Sequence, residues 1–542
     1  MSWRQRCCAA ALALASLVPL SAGVSVYPAP SGTDPSPDFT ATVNGVAAFV
    51  YFTSREGMQP VAPGNNVPPP SARNTSFLGF AFDGPNEGGA MVVVTVGARA
   101  AAPRAAALYP LRAAESLPSP AIAGRSVTLL VDAPRQLCLV LDGVTDAPLC
   151  LFADPPEPWL PSPGEPGVRV FSAGTTQAGV ISVAPGETVY LAPGAHVYGR
   201  IELAGGASDG AACAAVRGRG VLDGHGFSID SGGPPLISLP CSGALVEGVT
   251  LLNSPQYHLD GGYPRTLVQW VKAIAWGYST DGFTGGAQSL FQRSFLKVND
   301  DALKPFGTGT LARDIVLWQM ENGCAVMGSW NLNADVGFIT AQRLDVIRHE
   351  RTYADYAPDA LLCFVHGGSG RLAHYLFDDV RVDMPGWAAV QLWVANNSWA
   401  HPAGGVPGGL DMVVVRNFSS ARAFLGPQAV QLQGYAPTSA VTNVLLDGVT
   451  FGGVPAAAAD VAVTGGAGNV RNVSLCQDGC SRAIVGSDWT QQQKCSLPTS
   501  DCSGGAGGEG GGVSTGAVVA AVVGAALAAG AAAAALGTAS GA

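Results

Sequence analysis

Four stretches decide the fold: LVEGVTLLNSP (245–255), LVQWVKAIAWG (267–277), LFQRSFLKVND (290–300) and LARDIVLWQME (311–321). Their leading residues, Leu245, Leu267, Leu290 and Leu311, follow one another at steps of 22, 23 and 21 residues. Helical repeats are longer and poorer in Gly, and the LxxLxLxxN signature of leucine-rich repeats is missing. Two or three short apolar runs per period of about 22 residues, separated by Gly, Asn and Asp turns, are what one coil of a parallel β-helix needs. HYLFDDVRVD (374–383), DMVVVRNFSS (411–420), VTNVLLDGVTF (441–451) and NVRNVSL (469–475) continue the pattern with longer turns. An irregular all-β sandwich is the alternative. In a β-helix, successive coils stack about 4.8 Å apart, so residues at matching positions become neighbours.

Upstream the pattern changes. Residues 24–170 hold short apolar runs, Ala47–Phe52, Met91–Val96, Val127–Val131 and Leu137–Leu141, between Pro- and Gly-rich stretches, which predicts a β-sandwich. The Pro-dense segment Pro155–Pro166 reads as a linker. The fold expected is therefore all-β, an N-terminal β-sandwich followed by a right-handed parallel β-helix over 171–475.

Composition agrees. The 542 residues include 71 Gly and 39 Pro, and only 13% are charged, which supplies turns but few helical charge pairs. The net charge of −10 comes without a Lys/Arg cluster, so no nucleic-acid partner is expected.

The ends point to export. Arg4 and Arg6 precede the apolar run Cys7–Leu20, and Ser21-Ala22-Gly23 offers small residues for cleavage, so 1–23 reads as a signal peptide. Ten cysteines follow it, an even number that favours disulfides over metal sites. The candidates are Cys138 with Cys150 around a hairpin-like stretch, Cys213, Cys241, and Cys476, Cys480, Cys495 and Cys502 in a Cys-rich tail over 476–502. Cys324 and Cys363 complete the set. No CxxC or HExxH motif occurs, and neither metal nor cofactor is expected. Sequons at Asn74, Asn396, Asn417 and Asn472 fit the secretory route. Over 503–542 a Gly-rich spacer leads into an uncharged Ala/Gly run, Ala517–Leu536, which reads as a lipid-anchor (GPI) signal or a single transmembrane helix. The protein expected is thus secreted or held at the cell surface through its C-terminus, and monomeric.

Two consecutive coils carry acids near the same turn: STDG places Asp281, and NDDALK places Asp300 and Asp301, 19 and 20 residues on. Stacking would crowd all three. Like charges at that range resist simultaneous ionisation, holding one carboxyl protonated while others stay charged. Glycoside hydrolysis needs that division: an acid to protonate the leaving oxygen and a carboxylate to activate water. The plain alternative is an Asn-Asp-Asp turn.

In order, GRGVLDGHG (218–226), TLLNSP (250–255), STDG (279–282), NDDALK (299–304) and ENG…MGSW (321–330) resemble the β-helix glycoside hydrolase clan. That clan includes the polygalacturonases of family 28 and the dextranases and isopullulanases of family 49. The resemblance implies inverting, endo-type hydrolysis of a polysaccharide, with Asp300 as general acid and Asp281 with Asp301 positioning and deprotonating water. The Gly-His-Gly of polygalacturonases is replaced by Asn322-Gly323-Cys324, and their Arg-Ile-Lys has no equivalent, the nearest stretch being VIRHERTY (346–353). These departures favour a neutral α-glucan, dextran- or pullulan-like, over pectin. MGSW lies nearer family 49, where Gly and Trp are adjacent; here Ser329 intervenes. A polygalacturonase-like hydrolase and a non-catalytic polysaccharide-binding wall protein are the rivals.

Substrate-binding candidates are Lys304, near the acids; Trp330, Tyr278 and Trp276 as sugar platforms; and Arg351. Each also has a structural alternative, a solvated turn for Lys304, core packing for the aromatics and a surface ion pair for Arg351. His225, His349 and His366 are expected to be structural.

Overall fold

The computed structural model describes residues 23–54, 73–84, 89–97, 101–204, 212–228, 233–354, 358–397, 405–477 and 480–485, the last six by backbone alone. The signal segment except Gly23, the tail cysteines Cys495 and Cys502, and 503–542 lie outside them. No described helix is long and apolar enough to cross a membrane. The described chain is almost entirely strand, with helix confined to Leu111–Ala114 and a 3-10 turn at Ala458–Asp460.

The N-terminal part is a sandwich of two sheets. One contains Val24–Val26, Tyr51–Ser54, Asn74–Phe82, Ala106–Tyr109, Arg135–Leu141 and Val144–Asp154; the other contains Phe39–Val43, Val46–Ala48, Ala90–Val96, Ala121–Ala123 and Ser126–Val131. Strict alternation makes the core: Ala90, Val92, Val94 and Val96 are buried on one strand, and Val127, Leu129 and Val131 on its neighbour. They meet Phe80, Phe82, Leu137, Leu139, Leu149 and Leu151 from the facing sheet. Cys138 and Cys150 lie directly opposite each other in an antiparallel pair and are disulfide-bonded.

From Val168 onward a single 31-stranded sheet winds to Val485, almost wholly by parallel pairing with the strands one coil away. The leucines aligned by the repeat pair in register: Leu245 with Leu267, Leu267 with Leu290, and Leu290 with Leu311. Beyond them the coils lengthen, with Leu311 pairing Thr340, Leu372 pairing Leu410, and Leu410 pairing Val441. The residue after each leucine points inward, so Val246, Val268, Phe291 and Ala312 form one fully buried column.

One corner of each coil is turned at a left-handed residue. Gly248, Trp270, Arg293, Asp314, Arg343, Asp379, Asn417 and Gly448 occupy this position in successive coils, with φ between 51° and 81°. Non-Gly residues rarely adopt this conformation, so its recurrence at one site per coil shows that stacking outweighs the local cost. A polar ladder runs alongside: Arg217, Glu247, Gln269, Gln292 and Arg313 sit one per coil, each hydrogen-bonded to the next.

The chain divides into two compact units. One holds the sandwich and the chain to Gln177, with Tyr190–Tyr198 and Gly218–Leu222; the other holds Ala178–Val189, Gly199–Arg217 and the chain from Asp223. Asp281, Asp300 and Asp301 all fall in the second.

Candidate active site

Register brings the acids together. Phe283 pairs with Leu303, and Leu303 with Val326, so the residues two positions earlier, Asp281, Asp301 and Cys324, form a column. The stacking is held by main-chain bonds: Gly282 N–H donates to the Asp301 carbonyl, and Ala302 N–H to that of Cys324. Asp300 stands beside this column. Nearest oxygens of Asp281, Asp300 and Asp301 all lie within 4.8 Å of one another. Asp281 and Asp301 are buried, while Asp300 is half-buried and so the most accessible of the three.

Each carboxylate has its own partners. Asp281 Oδ2 accepts from Lys304 Nζ at 2.5 Å, and both side chains are buried. The Lys304 ammonium also lies 3.5 Å from the centroid of the Tyr257 ring. Asp301 Oδ1 accepts from Cys324 N–H at 3.0 Å, and its Oδ2 from the Trp330 indole N–H at 2.8 Å. Asp300 Oδ2 accepts from Ser279 N–H at 3.0 Å and from the Asn322 amide at 2.7 Å, and Oδ1 from Asp301 N–H at 2.9 Å.

The environments separate the three in proton affinity. Burial, then the charges of Asp281 and Asp301, push Asp300 well above the usual carboxylate range. Asp301 is pushed up to about 7 by burial and by Asp281, with Lys304 and the Trp330 and Cys324 N–H bonds opposing. Burial also raises Asp281, but the Lys304 ammonium acts against it. Lys304 itself, which burial alone would lower, is held above its ordinary value by Asp281, Tyr257 and Asp301. The trio therefore sets a carboxyl of strongly raised proton affinity, Asp300, beside two others held by Lys304, Trp330 and Cys324. Its oxygens could enclose a cation, but Lys304 already brings a positive charge to Asp281, so we read an acid–base site and assign no metal.

Two glycines make the geometry possible. A Cβ on Gly323 would meet the Asp300 carbonyl carbon and the Asp301 nitrogen at 2.4 Å, and its φ is 70°. A Cβ on Gly328 would meet the Phe364 ring at 2.1 Å. There the pairing slips between Met327 and Ser329, a bulge that leaves Gly328 unpaired, and beyond it Trp330 reaches Asp301. Ser329 in turn is fixed by His366, whose Nδ1 lies 2.8 Å from its hydroxyl while Nε2 lies 2.9 Å from the Gly370 carbonyl.

Some expected residues sit elsewhere. Arg351 is fully buried, donating to the Glu321 carbonyl and lying 5.4 Å from the Tyr353 ring centroid, so it is not presented to a sugar. Trp276 is 1% exposed and packs against the Lys297 ammonium, which makes it core and not a platform. Lys304 is committed to Asp281 and does not face solvent. Tyr278 is half-buried beside Ser279. His225 is exposed, and its main-chain N–H bonds Asp223. His349 is buried, which lowers it to about 3, with Arg351 acting in the same direction. Asn74 opens the sandwich strand Asn74–Phe82. The side-chain nitrogens of Asn396, Asn417 and Asn472 donate to Tyr435, Asp378 and Asn443 in the unmodified chain.

Sequence reasoning missed Asn322, Cys324 and Tyr257, all of which touch the acids or Lys304. Extending the column by one coil in each direction, 24 residues back from Asp281 and 23 on from Asp301, reaches Tyr257 and Cys324. It also left Cys324 and Cys363 unassigned; they are disulfide-bonded to each other, as are Cys213 and Cys241. Cys476 is also in a disulfide.

No protein-family model matches the chain, and no curated protein matches it. Among solved structures it is similar to Dex49A from Penicillium minioluteum, at 16% identity over 80% of this chain and 92% of that one, with a TM-score of 0.55. A Yersinia enterocolitica family 28 exopolygalacturonase matches at 12% identity over 71% of this chain and 96% of that one, with a TM-score of 0.38 that carries no weight here. At these identities the likeness is one of fold, and the first match agrees with the parallel β-helix described above.

Proposed function

We propose that this protein is an inverting glycoside hydrolase that cleaves a polysaccharide, with the β-helix over 171–475 as its catalytic domain. The carrying observation is the half-buried Asp300 carboxyl set beside Asp281 and Asp301, where burial and their charges raise its proton affinity. Asp300 protonates the leaving glycosidic oxygen. Asp301, held by Trp330 and Cys324, and Asp281, held by Lys304, position a water and take its proton.

The substrate proposed is a neutral α-glucan, dextran- or pullulan-like. A uronate chain needs cations facing the sugar, and Lys304 and Arg351 are both buried and engaged. The motif resemblance to family 49 and the shared fold with Dex49A support this choice. The chain is proposed to be exported, secreted or surface-anchored, in keeping with its N-terminal segment, its disulfides and its apolar C-terminus.

The test is a reducing-sugar screen of the purified protein against dextran, pullulan, starch and polygalacturonate. Release from dextran or pullulan is expected. Preferential cleavage of polygalacturonate would overturn the glucan assignment, and tight binding of a glycan without cleavage would favour a non-catalytic wall protein.

A further inference from the structure

Both hydrogen-bond donors to Asp301 rest on one covalent cross-link. Cys324 gives its main-chain N–H to Asp301 Oδ1 at 3.0 Å, and its side chain is bonded to Cys363, one coil further on. Cys324 and Cys363 are fully buried and, with Met327, Ala360 and Ala388, form a cluster on which the Trp330 ring packs. The same ring gives its N–H to Asp301 Oδ2 at 2.8 Å. Between these residues Val326–Ser329 is a buried strand paired on both sides, with a left-handed Gly323 before it and a bulge at Gly328 within it. Gly323 and Gly328 lack the side-chain restraint on φ and ψ, so the cross-link adds a fixed point beside both donors.

We propose that the Cys324–Cys363 disulfide is a positioning device for the acid–base site, holding the Cys324 N–H and the Trp330 indole N–H on the two oxygens of Asp301. This rests on the reading of Asp301 as a carboxylate that must be ionised to help deprotonate water. The charged groups that act on Asp301 are Asp281, Lys304 and Asp300, with Tyr257 beyond Lys304; none lies on the Cys363 coil. Releasing the cross-link therefore changes the hydrogen bonds to Asp301 without removing a charge. Two N–H donors favour the carboxylate form, so weakening them raises the pH at which Asp301 ionises.

The experiment compares wild type with Cys324→Ala/Cys363→Ala, which keeps the residue-324 N–H. Two readouts are followed: the pH profile of kcat on the best glycan, and the NMR titration of the Trp330 indole N–H in tryptophan-labelled protein, assigned with Trp330→Phe. The expected result is a kcat near neutral pH lower by roughly tenfold with KM within about twofold, the acid limb moved upward, and the indole titration moved upward with it, as for weakened bonds to a charged group. If the protein cleaves glycans, but the acid limb and the indole titration are the same in both forms, the positioning role is wrong and the hydrolase reading stands. If no glycan is cleaved, the hydrolase reading falls, and the indole titration alone still decides whether the disulfide holds Asp301. Should the double variant not fold, wild type titrated with and without dithiothreitol gives the same comparison. An unchanged indole titration after Cys324–Cys363 is reduced overturns the proposal.

Discussion

Lys304 Nζ lies 2.5 Å from Asp281 Oδ2, with both side chains buried in the second compact unit. A buried ion pair costs little when complete and much when halved, because the remaining charge has no solvent to turn to. Lys304→Met should therefore lower unfolding stability by about 3–5 kcal/mol, measured by chemical denaturation at pH 7. It should also protonate Asp281 and move the acid limb of the activity profile upward. A variant as stable as wild type would show that Asp281 is held by something other than Lys304.

Trp330→Phe keeps the ring on its cluster and removes only the N–H bonded to Asp301. The expected cost in kcat is about 10- to 100-fold, the worth of a hydrogen bond to a charged group, with KM little changed. A rise in KM alone would make Trp330 a sugar platform instead.

His349 is buried, neither ring nitrogen has a hydrogen-bond partner among the described residues, and burial lowers it from 6.5 to about 3. The unfolded chain then binds a proton that the folded chain refuses, so His349 makes stability fall as pH drops from about 6.5 towards 3. Asp301, raised from 3.8 to about 7, acts with the opposite sign: the folded state binds its proton first, so its ionisation costs stability above pH 7 and the cost fades as pH falls. Denaturant midpoints at pH 5 and pH 8 separate the two. His349→Gln should lessen the acid-side loss, and Asp301→Asn should gain stability at pH 8. A His349→Gln curve parallel to wild type would contradict the first.

Product stereochemistry checks the displacement. The oxygens of the trio lie within 4.8 Å, closer than the roughly 6.5–9.5 Å usual for inverting pairs. Yet Asp301 accepts a hydrogen bond on each oxygen and Asp281 is held by Lys304, which suits gripping a water better than bonding to carbon. Proton NMR of early products from an α-glucan should show the β-anomer first. The α-anomer first would replace a single displacement with a double one.

The repeat was legible because Leu245, Leu267, Leu290 and Leu311 pair in register, and each inward neighbour is apolar. The same regularity made Asp281, Asp300 and Asp301 legible as one patch. Trp276 and Trp330 were not distinguishable, since one residue of bulge at Gly328 decides which aromatic reaches an acid. Cys324 and Cys363 escaped notice because they are 39 residues apart, where coils have lengthened well beyond the 22-residue period. Arg351 follows His349 and Glu350 in a polar run that reads as surface, yet its side chain is fully buried.

The central claim is that Asp300 is the acid. Asp300→Asn removes the proton donor while keeping shape, so sugar release from the preferred glucan should fall by about 10²–10⁴-fold with folding and export unchanged. Activity equal to wild type in a folded Asp300→Asn protein would contradict the account.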